Sequence, residues 1–417
     1  MRYLQLALIN RQDNFAWYFE LDHNDEFALS KRECPMQFNT RDWDDGWNHV
    51  YVEVKSCDAF AHCDLYEILD PDHLDRIKNP ESNWVLHINN SHEAFLDMPS
   101  EVYKNICVRY GIPTDKIILA NGAFDLIEEA DRVATLHNVP VFKVELVMDF
   151  ELAQLGNEDS AGAKSKKERV PETLVPEKIR KTYLCMNRRW RLHRPLFVAC
   201  LATNNMLDDG YVSLAPSDDQ KNWQDHIPGE NEGGIFQWIE HCCERNADMD
   251  SWITPNKEII QNMKPLYLDT EDLHTNRARF TWRPGYLYSQ SLVSVVTETN
   301  YFTSFHSDNT RERSIFFSEK IFKPIAFQHP FIVVSTPNFL TSLRAIGYRT
   351  FSGLIDESYD NEQDDFKRMV MVIKELQRLS KFTEQEKIEF CEQAKLICEH
   401  NRRILTRRKV FNYKMNY

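Results

Sequence analysis

Residues 316–334 read FFSEKIFKPIAFQHPFIVV, and the fold turns on how this stretch is read. A polar Ser318-Glu319-Lys320 step opens a short apolar segment, Ile321 to Phe327, and an apolar run, Phe331 to Val334, follows at once. The pattern predicts a helix leading straight into a buried strand, the repeating unit of a parallel α/β sheet. Glu319, Lys320 and Lys323 then fall at the start of that helix. Free backbone N–H groups at a helix N-terminus favour anions. A carboxylate there suits ribose or sugar hydroxyls, while the lysines suit phosphate. The same Ser-Glu step is also ordinary capping chemistry, so cap and ligand site both stand as readings.

The pattern repeats upstream. Residues 181–194 read KTYLCMNRRWRLHR: a strand, Thr182 to Met186, running into Asn187-Arg188-Arg189, with a helix from Pro195 to Asn204. Proline suits the first helical turn. Arginines at the C-terminal edge of such a strand stand where α/β sheets bind ligands, and guanidinium groups grip phosphate oxygens in pairs. Gly210 to Leu214 and Leu292 to Thr297 are further strands, the latter with Glu298 at its exit. The loop after it offers His306, Asp308, Asn309, Arg311 and Arg313.

The first part of the chain alternates in the same way. Strands are expected at Tyr3 to Ile9, His49 to Val54, Trp84 to Ile88, Lys116 to Ala120 and Val139 to Val147, and helices at Glu101 to Tyr110 and Phe124 to His137. The opening residues read as a buried strand rather than a signal peptide. Residues 154–177 are polar and aperiodic, the clearest linker. The expected organisation is a first α/β domain at 1–153, the linker at 154–177, a second domain at 178–362 with an acidic insertion or lid at 218–280, and helices at 363–417. Thr383 and Glu386 form a capping-box sequence at the start of the last helix. That helix either crosses back to the first domain or lies on the second.

The 417 residues, 42% hydrophobic and 27% charged, fit a globular protein of two or three domains. No apolar run is long enough for a membrane helix. Ten cysteines at irregular spacings, with no C-x-x-C pair, argue against a zinc ribbon or a disulfide scaffold and for reduced thiols in the cytoplasm. Net charge is −14, which gives no general attraction to nucleic acid, yet basic residues concentrate at 178–194 and in the tail from Arg402 to Lys409. Twelve glycines include no dinucleotide fingerprint and no P-loop, which weighs against a dehydrogenase or an NTPase. Asp70-Pro-Asp72 and Asp248-Met-Asp250 have the D-x-D form used by some metal-dependent transferases, but both sit in polar sequence and read as solvated loops.

The segment 316–334 and the Asn187-Arg188-Arg189 turn with its His193-Arg194 pair resemble GT-B glycosyltransferases of the fucosyltransferase-like kind. The likeness is strongest to glycosyltransferase-like proteins of tailed phages and marine viruses. It covers the second half of the chain well and the first half weakly. It implies two Rossmann-like lobes with a cleft between them and C-terminal helices. It implies transfer of a hexose or pentose from a nucleotide-diphosphate sugar to a hydroxyl, with no cofactor and no required metal. Diphosphate binding carries over to Arg188 or Arg189 with Arg194 and Asn187 in support, and to Lys320 and Lys323. Glu319 carries over to ribose or sugar, with Glu298 facing the nucleotide. The alternative for Glu298 is a strand-end carboxylate facing water. The base that deprotonates the acceptor is Glu93 or His92, after the strand WVLHINN.

The viral resemblance suggests a hydroxymethylated base in viral DNA as acceptor, flipped out to react, with the protein in the host cytoplasm. A glycan or protein acceptor is the competing reading. So is a non-catalytic module that holds a nucleotide or glycan. A phosphodiester-processing enzyme is a weaker option, because the acidic metal cluster it requires is missing from the sequence.

Overall fold

Two sheets built on parallel strands organise the chain. The computed structural model describes residues 4–8, 16–18, 32–34, 47–54, 65–69, 71–90, 96–147, 179–187, 191, 193–214, 239, 247–263, 266, 268, 285–303, 314–407 and 412–414. Two units separate: Met1–Asp149 with Phe411–Tyr417, and Phe150–Val410.

In the first unit the strands are β1 (Leu4–Leu8), β4 (Asn48–Val54), β5 (Trp84–Asn90), β6 (Ile117–Asn121), β7 (Lys143–Val147) and β12 (Asn412–Lys414), side by side in that order. A small hairpin, β2 (Ala16–Tyr18) with β3 (Arg32–Cys34), stands apart. The four central strands are parallel, whereas β1 and β12 are antiparallel edges. The sequence did not betray β12, a strand that returns the chain end to the first sheet. The helices of this unit are α1 (Leu65–Ile68), α2 (Pro71–Lys78), α3 (Met98–Val102) and α4 (Leu126–His137). Between α3 and β6 the expected α-helix changes to a π-helix at Tyr103–Val108.

Strands β4 to β7 are neighbours in chain order, so right-handed crossovers carry their helices to one face. The contacts agree. Trp84 packs against His73 of α2, and Asn121 of β6, whose register partner Asn90 shares the face of Trp84, reaches Met98 of α3. The other face carries His87, whose imidazole lies 3.7 Å from the Glu145 carboxylate. Asn90 ends β5 beside Asn121 and is 1% exposed, yet neither atom of its amide finds a hydrogen-bond partner among the described residues. A buried amide without partners costs about 1–3 kcal/mol. Asn90→Leu, close in shape, is therefore expected to raise the melting temperature. A fall of several degrees would show that the amide is satisfied in solution.

The second unit winds differently. Its strands β8 (Lys181–Asn187), β9 (Gly210–Leu214), β10 (Ser291–Thr297) and β11 (Phe331–Val334) are all parallel and stand in the order β11-β10-β8-β9. Every residue of β10 and β11 is buried, which is why both read as unbroken apolar runs. Gly210 opens β9 where an added Cβ would lie 2.2 Å from the Tyr183 ring, so only glycine fits there. The helices are α5 (His193–Thr203), α6 (Ala247–Gln261), α7 (Gly285–Ser289), α8 (Glu319–Ala326), α9 (Phe339–Ala345), α10 (Asp365–Ser380) and α11 (Glu384–Arg407). The capping box at α11 is formed: Glu386 N–H donates to Thr383 Oγ1 at 3.3 Å, and Thr383 N–H donates to the Glu386 carboxylate at 2.7 Å.

Two expectations need correction. Asp72 lies in the first turn of α2, and Asp248 and Asp250 lie in the first turn of α6, all exposed but none in a loop. Acidic side chains there complement the positive end of the helix, a structural use for both D-x-D sequences. The linker at 154–177 and most of the 218–280 segment lie outside the described residues. Among the described residues no helix is long and apolar enough to cross a membrane, and Cys107, Cys185, Cys200, Cys391 and Cys398 form no disulfide.

Candidate functional site

The strand order of the second unit singles out one edge of its sheet as the candidate site. From β8 the chain steps to β9 on one side, then crosses to β10 and β11 on the other. The winding reverses between β8 and β10, and open α/β sheets bind ligands beyond the C-terminal ends of the strands at such a switch point. The two exits there are the two turns that the sequence singles out, Asn187-Arg188-Arg189 and Thr297-Glu298-Thr299.

Asn187 is 3% exposed and ties three strands together. Its Nδ2 donates to the Ser213 carbonyl at 3.0 Å, its N–H donates to Ser213 Oγ at 3.0 Å, and its Oδ1 accepts from Thr297 Oγ1 at 2.5 Å. The amide thus serves the framework that carries Arg188 and Arg189. Those two arginines lie outside the described residues.

Six residues after Asn187, the helix α5 begins with His193 and Arg194, both buried. Arg194 donates from one terminal nitrogen to the carbonyls of Thr297 (3.1 Å) and Glu298 (3.2 Å). His193 Nε2 lies 2.9 Å from the same Glu298 carbonyl, and its ring stacks on Tyr301 with centroids 5.3 Å apart. Because a carbonyl only accepts, Nε2 carries the proton. Burial holds the imidazole well below its ordinary pKa, and the charges of Arg194, Arg191 and Lys320 push it the same way. Burial first, and the neighbouring positive charges second, keep this histidine neutral.

Glu298 is the surprise of this region. Its side chain faces neither water nor an open ligand site. The residue is 0% exposed. The carboxylate accepts from Ser318 Oγ at 2.5 Å, from the Ile321 N–H at 3.2 Å and from the Thr299 N–H at 3.1 Å. Ser318 is the N-cap of α8, its Oγ accepting from the Lys320 N–H at 3.2 Å. The capping reading of Ser318-Glu319 is therefore realised, and the anion expected at this helix start is the protein's own Glu298.

No protein-family model and no curated protein matches this chain. Function is therefore argued from the site alone.

Lys320 is half-buried and its ammonium reaches Ser318 Oγ at 3.0 Å and Thr299 Oγ1 at 3.3 Å. With Lys323 it borders a cavity of about 50 Å³ that also touches Leu184, Met186, Tyr288 and Pro324. Sites for drug-sized ligands run to about 300–1,000 Å³, so this hollow takes at most a fragment of one, and the rest would lie over the strand ends. The backbone of Glu319 opens α8. Of the first-unit candidates, Glu93 and His92 lie outside the described residues, as does the loop from His306 to Arg313. Among the described residues no group of three His, Cys, Asp or Glu side chains stands together as a metal site.

Four contributors escaped the sequence reading as site residues: His193, Thr297, Thr299 and Ser318. His193 and Ser318 lie inside the quoted motifs, so adjacency was the available signal. Thr297 and Thr299 flank Glu298, and only the arrangement of β8, β10 and α8 reveals their roles.

Proposed function

We propose that the protein is a GT-B-like glycosyltransferase of two lobes that uses a nucleotide-diphosphate sugar. The observation that carries this reading is the coincidence of two independent signals. The strands that lead into the basic Asn187-Arg188-Arg189 segment and toward the Ser-Glu-Lys step, β8 and β10, are neighbours, and the winding of the described sheet reverses between them, which supports a ligand site at their ends. Arg188 and Arg189 hold the diphosphate with Lys320 and Lys323, without help from the backbone N–H of Ile321, which Glu298 already engages. Arg194 and Asn187 hold the two strand exits in register beneath them. Glu319 takes ribose or sugar hydroxyls. The positive side chains offset the charge of the departing nucleotide diphosphate, the role a metal plays in other transferases.

On this reading the base is Glu93 or His92, removing the proton of an acceptor hydroxyl as that oxygen attacks the anomeric carbon. The acceptor is a hydroxymethylated base in viral DNA, with a glycan or protein hydroxyl as the competing choice.

The test is a thermal-shift titration of the protein with UDP-, GDP-, CMP- and TDP-sugars. One nucleotide class is expected to raise the melting temperature. At a hundredfold excess over Kd the added stability is about 2.7 kcal/mol. Arg188→Ala and Lys320→Ala should remove the shift, whereas Glu93→Gln should keep it and lose turnover. No shift with any donor at millimolar concentration would overturn the reading.

A further inference from the structure

A chain of hydrogen bonds runs from Lys320 to α5. The Lys320 ammonium donates to Ser318 Oγ (3.0 Å), Ser318 Oγ donates to the Glu298 carboxylate (2.5 Å), and the Glu298 carbonyl is held by His193 Nε2 (2.9 Å) and Arg194 (3.2 Å). The ammonium also reaches Thr299 Oγ1 at 3.3 Å. Lysine is a flexible four-carbon stem with a point charge at its tip, and fixing that tip costs conformational entropy. Here the tip is set by two hydroxyls, each from a residue adjoining a candidate site residue. Both hydroxyls are fixed in turn. Ser318 is 1% exposed and caps α8, and the Thr299 N–H is bound to the Glu298 carboxylate.

We propose that Ser318 and Thr299 are positioning residues that aim the Lys320 ammonium at the diphosphate, with Glu298 as the anchor that keeps both hydroxyls in place. The inference rests on the proposed donor site and adds its specificity device. A serine hydroxyl bonded to a carboxylate must donate to it, so its lone pairs face the Lys320 N–H and ammonium. The anchor carboxylate thereby orients the serine as an acceptor. Glu298 acts through Ser318 and Thr299, not on the ligand.

The geometry makes a quantitative claim: each hydroxyl matters to anion binding only through Lys320. Pyrophosphate, titrated calorimetrically into the full-length protein at low salt, is the probe. Ser318→Gly removes the hydroxyl while leaving a residue that caps helices nearly as well, and Thr299→Val removes the second hydroxyl at nearly constant shape. Each is expected to weaken pyrophosphate about tenfold, the scale of one hydrogen bond made to a charged group. Lys320→Ala should weaken it further, and adding either hydroxyl variant to Lys320→Ala should change nothing more. A merely structural role would lower the melting temperature and leave that non-additivity absent. Hydroxyl variants that bind like the wild type, or whose effects simply add to Lys320→Ala, overturn the inference and leave the donor site standing. A wild-type protein that ignores pyrophosphate overturns both.

Discussion

Arg368→Leu is expected to destabilise the protein by about 3–5 kcal/mol, the usual cost of removing one partner of a buried ion pair. Arg368 is 2% exposed, the largest fully buried side chain in the described structure. Its guanidinium donates to the carbonyls of Ser335 (3.0 Å), Glu362 (2.8 Å) and Tyr301 (2.7 Å), and to the Asp365 carboxylate at 2.7 Å. Its central carbon also lies 4.5 Å from the centroid of the Tyr301 ring. Leucine fills part of the volume but strands three carbonyls and leaves Asp365 without its cation. Whole domains are stable by only about 5–15 kcal/mol, so the effect is large. Arg368→Lys should recover only part of the loss, because a single ammonium cannot span the fork that reaches four acceptors. Urea denaturation of the two variants measures both. A loss under about 1 kcal/mol for Arg368→Leu would mean that the network relaxes around its absence. The position matters beyond stability: Tyr301 stacks on His193, so Arg368 supports the layer beneath the strand exits.

The strands were legible for a physical reason. A parallel strand covered on both faces must be apolar throughout, and YLC, LVSVV and FIVV announce themselves without any alternation. The start of α8 was legible as well, because a polar Ser318-Glu319-Lys320 step before an apolar segment is the pattern of a cap and first turn, and the helix begins at Glu319. Strand order was not legible. Nothing local in Lys181–Asn187 says that it will lie between β9 and β10, since that follows from long-range packing. The antiparallel edge β12 is three residues beyond the basic tail whose pairing depends on β7, far away in sequence. Polar pattern misled at Asp248 and Asp250, where acids that suit a helix start look the same as acids in a loop.

The candidate site divides along the same line. Residue type located it: an Asn-Arg-Arg turn, a strand-end glutamate, a Ser-Glu-Lys step. Residue type did not assign roles within it. A glutamate at a strand exit can face a ligand, face water or turn inward to cap a helix, and these differ only in where the next helix packs. In this chain α8 begins twenty-one residues after Glu298, yet it places the Ile321 N–H 3.2 Å from that carboxylate. Two helices of this unit show the same device. Asp360 holds the N–H groups of Leu340 (2.8 Å) and Thr341 (3.0 Å) at the start of α9, as Glu298 does for α8. The starts of α8 and α9 are thus supplied with internal carboxylates, which leaves fewer free backbone N–H groups there.

Acid is expected to unfold the protein earlier than its carboxylates alone would require. His329 is 6% exposed, and both ring nitrogens are engaged in the neutral form: Nε2 lies 2.8 Å from the Ser291 carbonyl, to which it donates, and Nδ1 lies 2.8 Å from Ser294 Oγ, from which it accepts. Burial lowers its pKa from 6.5 to about 4. His193 is displaced in the same direction by burial and by Arg194. With the folded pKa depressed, the unfolded chain takes up protons first as pH falls. The stability contributed by the neutral imidazoles is fully present above pH 6.5 and is lost as pH falls toward the folded value. Each such group gives a slope of about 1.4 kcal/mol per pH unit between its two pKa values, so His329 alone accounts for roughly 3 kcal/mol by pH 4. His193, displaced in the same direction, makes the loss steeper. Glu357, raised by burial, works in the opposite sense and blunts the loss in its own range. Urea midpoints at pH 7.5, 6.0 and 5.0 give the slope, and His329→Gln should make it clearly shallower while preserving a donor toward Ser291. A midpoint that stays constant from pH 7.5 to 5.0 would show that neither imidazole is held neutral by the fold.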